Sequence, residues 1–164
     1  MPTSVTATNR RARPRRRRGR LTLELQIGAH GERVPGKNRI RRWARAALRG
    51  AGEITVRIVG SAEGRRLNSR YRGDNHATNV LSFLYGAPGG RVQGDVVLCA
   101  PVIAREARRQ GKTLESHYAH MTVHAILHLL GYDHARRREA ERMETLEKKV
   151  LAKLGYPDPY AAPD

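Results

Sequence analysis

The hydrophobic period of this chain changes several times along its length, and the order of those changes limits the folds open to it. "LTLELQI" (21–27) alternates apolar and polar residues, the period of a half-buried strand. Between Arg39 and Arg49 the pattern becomes helical, with Ile40, Trp43, Ala44, Ala47 and Leu48 on one face. "EITVRIVG" (53–60) predicts a second strand. Ser61 is a cap candidate for a second helix that turns Leu67 and Tyr71 inward. "TNVLSFLYG" (78–86) and "DVVLCAPV" (95–102) predict a third and fourth strand around a turn rich in glycine. From Pro101 onward only helical spacing remains. One helix stops at Gly111, one runs from Thr113 and Ser116 to Gly131, and a last covers roughly 136–154.

The order β-α-β-α-β-β-α-α-α predicts an α+β fold: one domain, with a small four-stranded mixed sheet and about five helices packed on it. The short 84–94 link suits a hairpin, so one strand pair should be antiparallel. On the last helix Met143, Leu146, Val150, Leu151 and Leu154 form the apolar stripe. Glu139, Glu141, Glu144 and Glu147 are read as its solvated face. The closing "GYPDPYAAPD" is irregular and rich in proline.

Charge sets the chain apart. Lys and Arg number 32 against 15 acids, a net +17. Residues 1–20 hold eight Arg and no acid, and read as a disordered basic arm. Without them 24 basic residues still face 15 acids, so the body itself is basic. A polyanion, nucleic acid or an anionic membrane, is the natural partner of such a domain. No run approaches the ~18 consecutive apolar residues of a membrane span, and the single cysteine, Cys99, fits a reducing compartment. A soluble cytoplasmic protein with no membrane partner is expected.

Three of the seven histidines crowd into "HAILHLLGYDH" (124–134). His124 and His128 are four residues apart, so a helix stacks their rings on one face. Gly131 breaks that helix, and the turn after it can return His134 to the same point. A core helix with coincidental histidines is the plain alternative. Three neutral nitrogen donors without a cysteine suit one zinc ion with its fourth position open, the arrangement of catalytic rather than structural sites. Such a site makes hydroxide available near neutral pH, and so suggests metal-assisted hydrolysis. Ala125 stands where H-E-x-x-H peptidases carry their glutamate base, which argues against peptide hydrolysis. Asp133 can orient a ring N–H or simply bond its own turn. His117 and His120 lie upstream and are left out of the site.

A second informative stretch is "LNSRYRGDNHATNVLSF" (67–83), where a polar loop bearing Arg70 and Arg72 leads into an apolar strand. Guanidinium matches phosphate in shape and never loses its charge, so either arginine, or both, can serve a phosphate-bearing substrate.

Together "HAILHLLGYDH", "LNSRYRGDNHATNVLSF", "GDVVLC" and "LGYPDPY" resemble the bacterial YbeY family of ribosomal-RNA maturation endoribonucleases, over about 21–160. Two departures stand out: Ala125 replaces the family's glycine between the first two histidines, and Leu84 its common proline after "LSF". The resemblance implies that His124, His128 and His134 carry zinc and that Arg72, of the "YRG" triplet, is the catalytic basic residue. It implies a single-strand-specific endoribonuclease in 3′-end maturation of small-subunit ribosomal RNA and in ribosome quality control. The implied partners are single-stranded RNA, the small ribosomal subunit and its assembly factors. A competing reading is a ribosome-assembly RNA-binding factor whose metal is largely structural.

Overall fold

The computed structural model describes residues 19–162. All but the last two residues of the expected basic arm therefore lie outside the described residues. The chain order is β1 (Leu21–Ile27), α1 (Lys37–Ala47), β2 (Gly52–Val59), α2 (Ser61–Arg72), β3 (Val80–Gly86), β4 (Val92–Cys99), α3 (Ala100–Arg109), α4 (Leu114–Leu129) and α5 (Arg137–Leu154). A single 3-10 turn, Pro88–Gly90, joins β3 to β4. The sheet runs β1-β2-β4-β3. β1, β2 and β4 are parallel, and β3 lies antiparallel to β4, so the sheet is mixed as the short link requires.

Three local expectations are corrected. β4 starts at Val92 rather than in the nineties' middle and ends at Cys99, because Val92–Gly94 pair with Gly52–Ile54 and Pro101 already sits in the first turn of α3. Gly60, not Ser61, occupies the cap position of α2, and no side chain caps it. Tyr71 does not face inward: it is 55% exposed, its ring against Phe83.

Strand parity decides the two sheet faces. Leu21, Leu23, Ile54, Val56, Ile58, Val96 and Leu98 point into the main core, under α1, α4 and α5. Burying an aliphatic side chain of this kind stabilises by about 1.5–3 kcal/mol. Val59, Leu81, Val97, Cys99 and Val102 form a smaller core on the other face, beside α2. Cys99 is buried there, and burial pushes its thiol pKa up.

Helix α4 is the centre of the molecule. Eleven of its sixteen residues are buried, so it has solvent on no complete face, and polar residues on it must find partners inside. Its start is fixed by Thr113, whose hydroxyl oxygen accepts from the Ser116 amide at 3.1 Å. Gly94 lets it approach the sheet: a Cβ there would meet Leu129 Cδ2 at 2.9 Å and the Phe83 carbonyl at 2.8 Å. At the far side Trp43 Nε1 donates to Tyr156 Oη (3.1 Å), and that hydroxyl donates to Glu115 (2.7 Å), tying α1, α4 and the C-terminal segment together.

Candidate metal centre

The end of α4 builds the outer half of the site. Gly131 adopts φ +97°, the left-handed conformation that suits glycine, and the Tyr132 amide donates back to the Leu127 carbonyl at 3.1 Å. Asp133 Oδ1 then accepts from the amides of His134 (2.7 Å) and Ala135 (3.3 Å). Asp133 is thus a turn residue, and those amide bonds, foremost that from His134, hold its carboxyl below its ordinary pKa.

This turn brings the three expected histidines together. His128 Nε2 and His134 Nδ1 stand 3.1 Å apart. Ring centroids are 4.7 Å apart for His124 and His128, 5.0 Å for His128 and His134, and 5.7 Å for His124 and His134. One nitrogen from each lies within 4.8 Å of the others. Nitrogens held ~2.0–2.1 Å from a tetrahedral zinc stand roughly 3.3 Å apart, so small ring movements suffice to close on an ion. Burial, and then the neighbouring imidazoles, lower the His128 pKa and keep its ring neutral, as a ligand must be.

The inner half of the site comes from α5, and here the sequence reading of Glu147 as a solvated residue is wrong. Glu147 is fully buried. Its Oε1 accepts from His124 Nδ1 at 2.6 Å. Its Oε2 accepts from His120 Nε2 at 2.6 Å and from the Tyr160 hydroxyl at 2.5 Å. Burial alone would raise this carboxyl; the His120, His124 and Tyr160 donors outweigh it and bring the pKa down to about 2. The carboxylate therefore remains charged at neutral pH, and His124 carries its proton on Nδ1. That tautomer leaves the Nε2 lone pair of His124 available to a metal, the arrangement in which a carboxylate fixes a ligand imidazole.

His120, His124 and Glu147 are a second group close enough to hold a cation. Their 2.6 Å nitrogen–oxygen separations are those of charge-assisted hydrogen bonds, shorter than the edge of a metal's coordination shell. The inner group thus orients, and the outer group is the better cage. The clue to Glu147 was present in the sequence: Met143, Glu147 and Leu151 are spaced i, i+4, i+8 on the buried stripe.

Arg72 is the last residue of α2, exposed, and it makes no hydrogen bond or ion pair among the described residues. His117 is buried in the core with Nε2 3.4 Å from Glu106 Oε1, away from the outer histidines.

A family model and the sequence relatives name one family. A family model described as Endoribonuclease YbeY matches residues 32–155. A protein of that name from Aromatoleum aromaticum is 61% identical over 142 residues, covering 86% of this chain and 92% of its own length. The namesake from Bordetella avium is 50% identical over 155 residues, covering 88% and 96%. A solution structure of TM1509 from Thermotoga maritima aligns at TM-score 0.48 and 22% identity, over 85% of this chain and 99% of that one.

Proposed function

Since this chain belongs to the YbeY endoribonuclease family, we propose that it is a zinc-dependent, single-strand-specific endoribonuclease. In this reading it matures the 3′ end of small-subunit ribosomal RNA and serves ribosome quality control in the cytoplasm, with the small subunit and its assembly factors as partners. Residues 21–160 are the catalytic domain. The Arg-rich stretch 1–20 adds loose phosphate contacts. No described helix is long and apolar enough to cross a membrane.

The observation that carries this reading is the gathering of three imidazole nitrogens beside a buried carboxylate that sets the tautomer of one of them. His124, His128 and His134 would hold the ion. Bound there with a position left open, zinc supplies a Lewis acid and a water of lowered pKa. Glu147 orients His124 and stays ionised while doing so. His134, exposed, leaves the outer side of the cage open to substrate. Arg72 brings a permanent positive charge, unpaired among the described residues, to the charge that gathers on phosphorus during cleavage.

The test is cleavage of an end-labelled single-stranded RNA by wild type, His124→Ala and Arg72→Glu purified in parallel. Cutting by wild type alone supports the enzyme reading. Equal cutting by all three means a contaminating nuclease. Binding without cutting by all three favours the assembly-factor reading with a structural metal.

A further inference from the structure

Tyr71 is exposed because it belongs to a second feature, on the sheet face opposite α4. Its ring lies 4.9 Å from that of Phe83, tilted by 59°. Tyr85, at the register shift between Leu84 and Gly86, lines the same pocket and is 69% exposed. These three aromatics, with Leu67 and Val97 beneath them, line a cavity of about 270 Å³. Gln26 and Thr55 stand at its edge.

We propose that this slot receives one unstacked nucleobase of the RNA strand. The inference rests on the ribonuclease reading above. Single-stranded RNA is recognised by splaying bases onto aromatic rings and meeting their edges with polar groups. The volume falls just under the ~300 Å³ at which pockets for drug-sized molecules begin, which suits one flat ring system and excludes a helix. The Gln26 amide, whose Nε2 also donates to Glu24 at 3.0 Å, keeps its oxygen and second N–H for a base edge, and the Thr55 hydroxyl adds a donor and acceptor.

Charge points to the same occupant. α2 exposes Arg65, Arg66, Arg70 and Arg72, and the Arg70 guanidinium stands 5.6 Å from the centroid of the Tyr71 ring. The two carboxylates of the slot are already engaged. Glu63 accepts from Arg57 at 2.6 and 3.0 Å, and Asp95 accepts from the Tyr85 hydroxyl at 2.5 Å. A strand whose base sits in the slot therefore meets Arg66 and Arg70, which share the flank of α2 beside Tyr71, with its phosphates.

The slot and the histidines lie on opposite faces of the sheet, and β3 links them. Arg72 follows Tyr71 in sequence. β3 is an edge strand, and the Phe83 carbonyl and the Leu129 side chain crowd the same point above Gly94. The strand that carries Phe83 and Tyr85 thus packs beside the turn of α4 that carries His128. RNA crossing the free edge of β3 reaches from slot to histidines.

The experiment is an anisotropy titration of labelled single-stranded RNA with wild type, Tyr71→Ala, Tyr85→Ala and Tyr71→Trp, folding checked by circular dichroism. Each alanine should weaken binding about tenfold, and Tyr71→Trp should restore it. An RNA scanned with single abasic sites should show one position at which wild type binds as weakly as the alanine variants. Wild-type affinity in both folded alanine variants, with wild type itself binding and cutting RNA, overturns the slot alone and leaves that face to a protein partner. A wild type that neither binds nor cuts RNA overturns the ribonuclease reading, and the slot with it.

Discussion

The α4–α5 region that holds the histidine cage and Glu147 differs sharply from the α2–β3 face that holds Arg72. In the first region a buried carboxylate holds its neighbours before any ligand arrives: Glu147 engages His120, His124 and Tyr160. In the second Arg72 is exposed, without an ion pair among the described residues. A metal cage gains from rigidity, because its ligands must meet within tenths of an ångström. A charge meant for a polymer gains from being unpaired, because an internal partner would have to be displaced. The contrast predicts that changes in the first region act through metal binding, and those in the second through catalysis at constant metal content.

The largest effect should come from His128→Ala. Its nitrogen is a corner of the cage, and two remaining imidazoles no longer enclose an ion. Metal content measured by elemental analysis should fall from one ion per chain to almost none, with RNA cleavage lost and the far-ultraviolet spectrum kept. Full metal content in this variant would place the ion elsewhere. Next comes Arg72→Glu, with cleavage expected to fall by about 10²–10³, the usual cost of removing a group that stabilises transition-state charge. Metal content should not move, and melting temperature should fall only slightly, by the cost of a negative charge at the C-terminal end of α2. A parallel loss of metal would erase the distinction between the two regions.

Glu147→Gln tests the wiring. A neutral amide can still accept from His124 Nδ1, yet it can equally donate to it, so the tautomer is no longer imposed. Competition with a chromogenic chelator should show zinc affinity reduced about 10–100-fold. Long-range proton–nitrogen spectra of the metal-free protein should show His124 protonated on Nδ1 in wild type and mixed in the variant. Unchanged affinity would mean that the cage is rigid without its carboxylate.

Much of this arrangement was legible in the sequence, and the reason is periodicity. Strand alternation and helical spacing follow from burial on one face, so β1 to β3 and all five helices stand near their expected places. The histidine cage was legible because i, i+4 and a glycine break are local geometry. Glu147, by contrast, comes from another helix, and pairing between α4 and α5 leaves no mark in either segment alone. Its place on the Met143–Leu151 stripe was a warning, but a charged residue on a buried stripe is rare enough that a solvated face was the simpler assignment. Tyr71 failed in the opposite sense. An aromatic at helical spacing from Leu67 predicts a core position, and only the open sheet face beside α2 reveals that no core lies there.

The smallest expected effect concerns a histidine in neither region. His117 is buried on α4, faces Glu106 of α3, and has His120 and Lys112 nearby. Burial lowers its pKa, the Glu106 carboxylate only partly opposing this. The folded protein therefore resists a proton that the unfolded chain accepts near ~6.5. Above that pH the neutral ring costs nothing in either state; as pH falls below it, the unfolded chain takes up the proton and stability declines until the folded pKa is passed. The decline for one such site is at most ~1.4 kcal/mol per pH unit. Melting of the metal-free protein should weaken between pH 7 and 5.5, and His117→Gln, which keeps a donor for Glu106, should flatten that slope. An equal slope in the variant would move the acid sensitivity out of the core and into the histidine cage, where protonation competes directly with the metal.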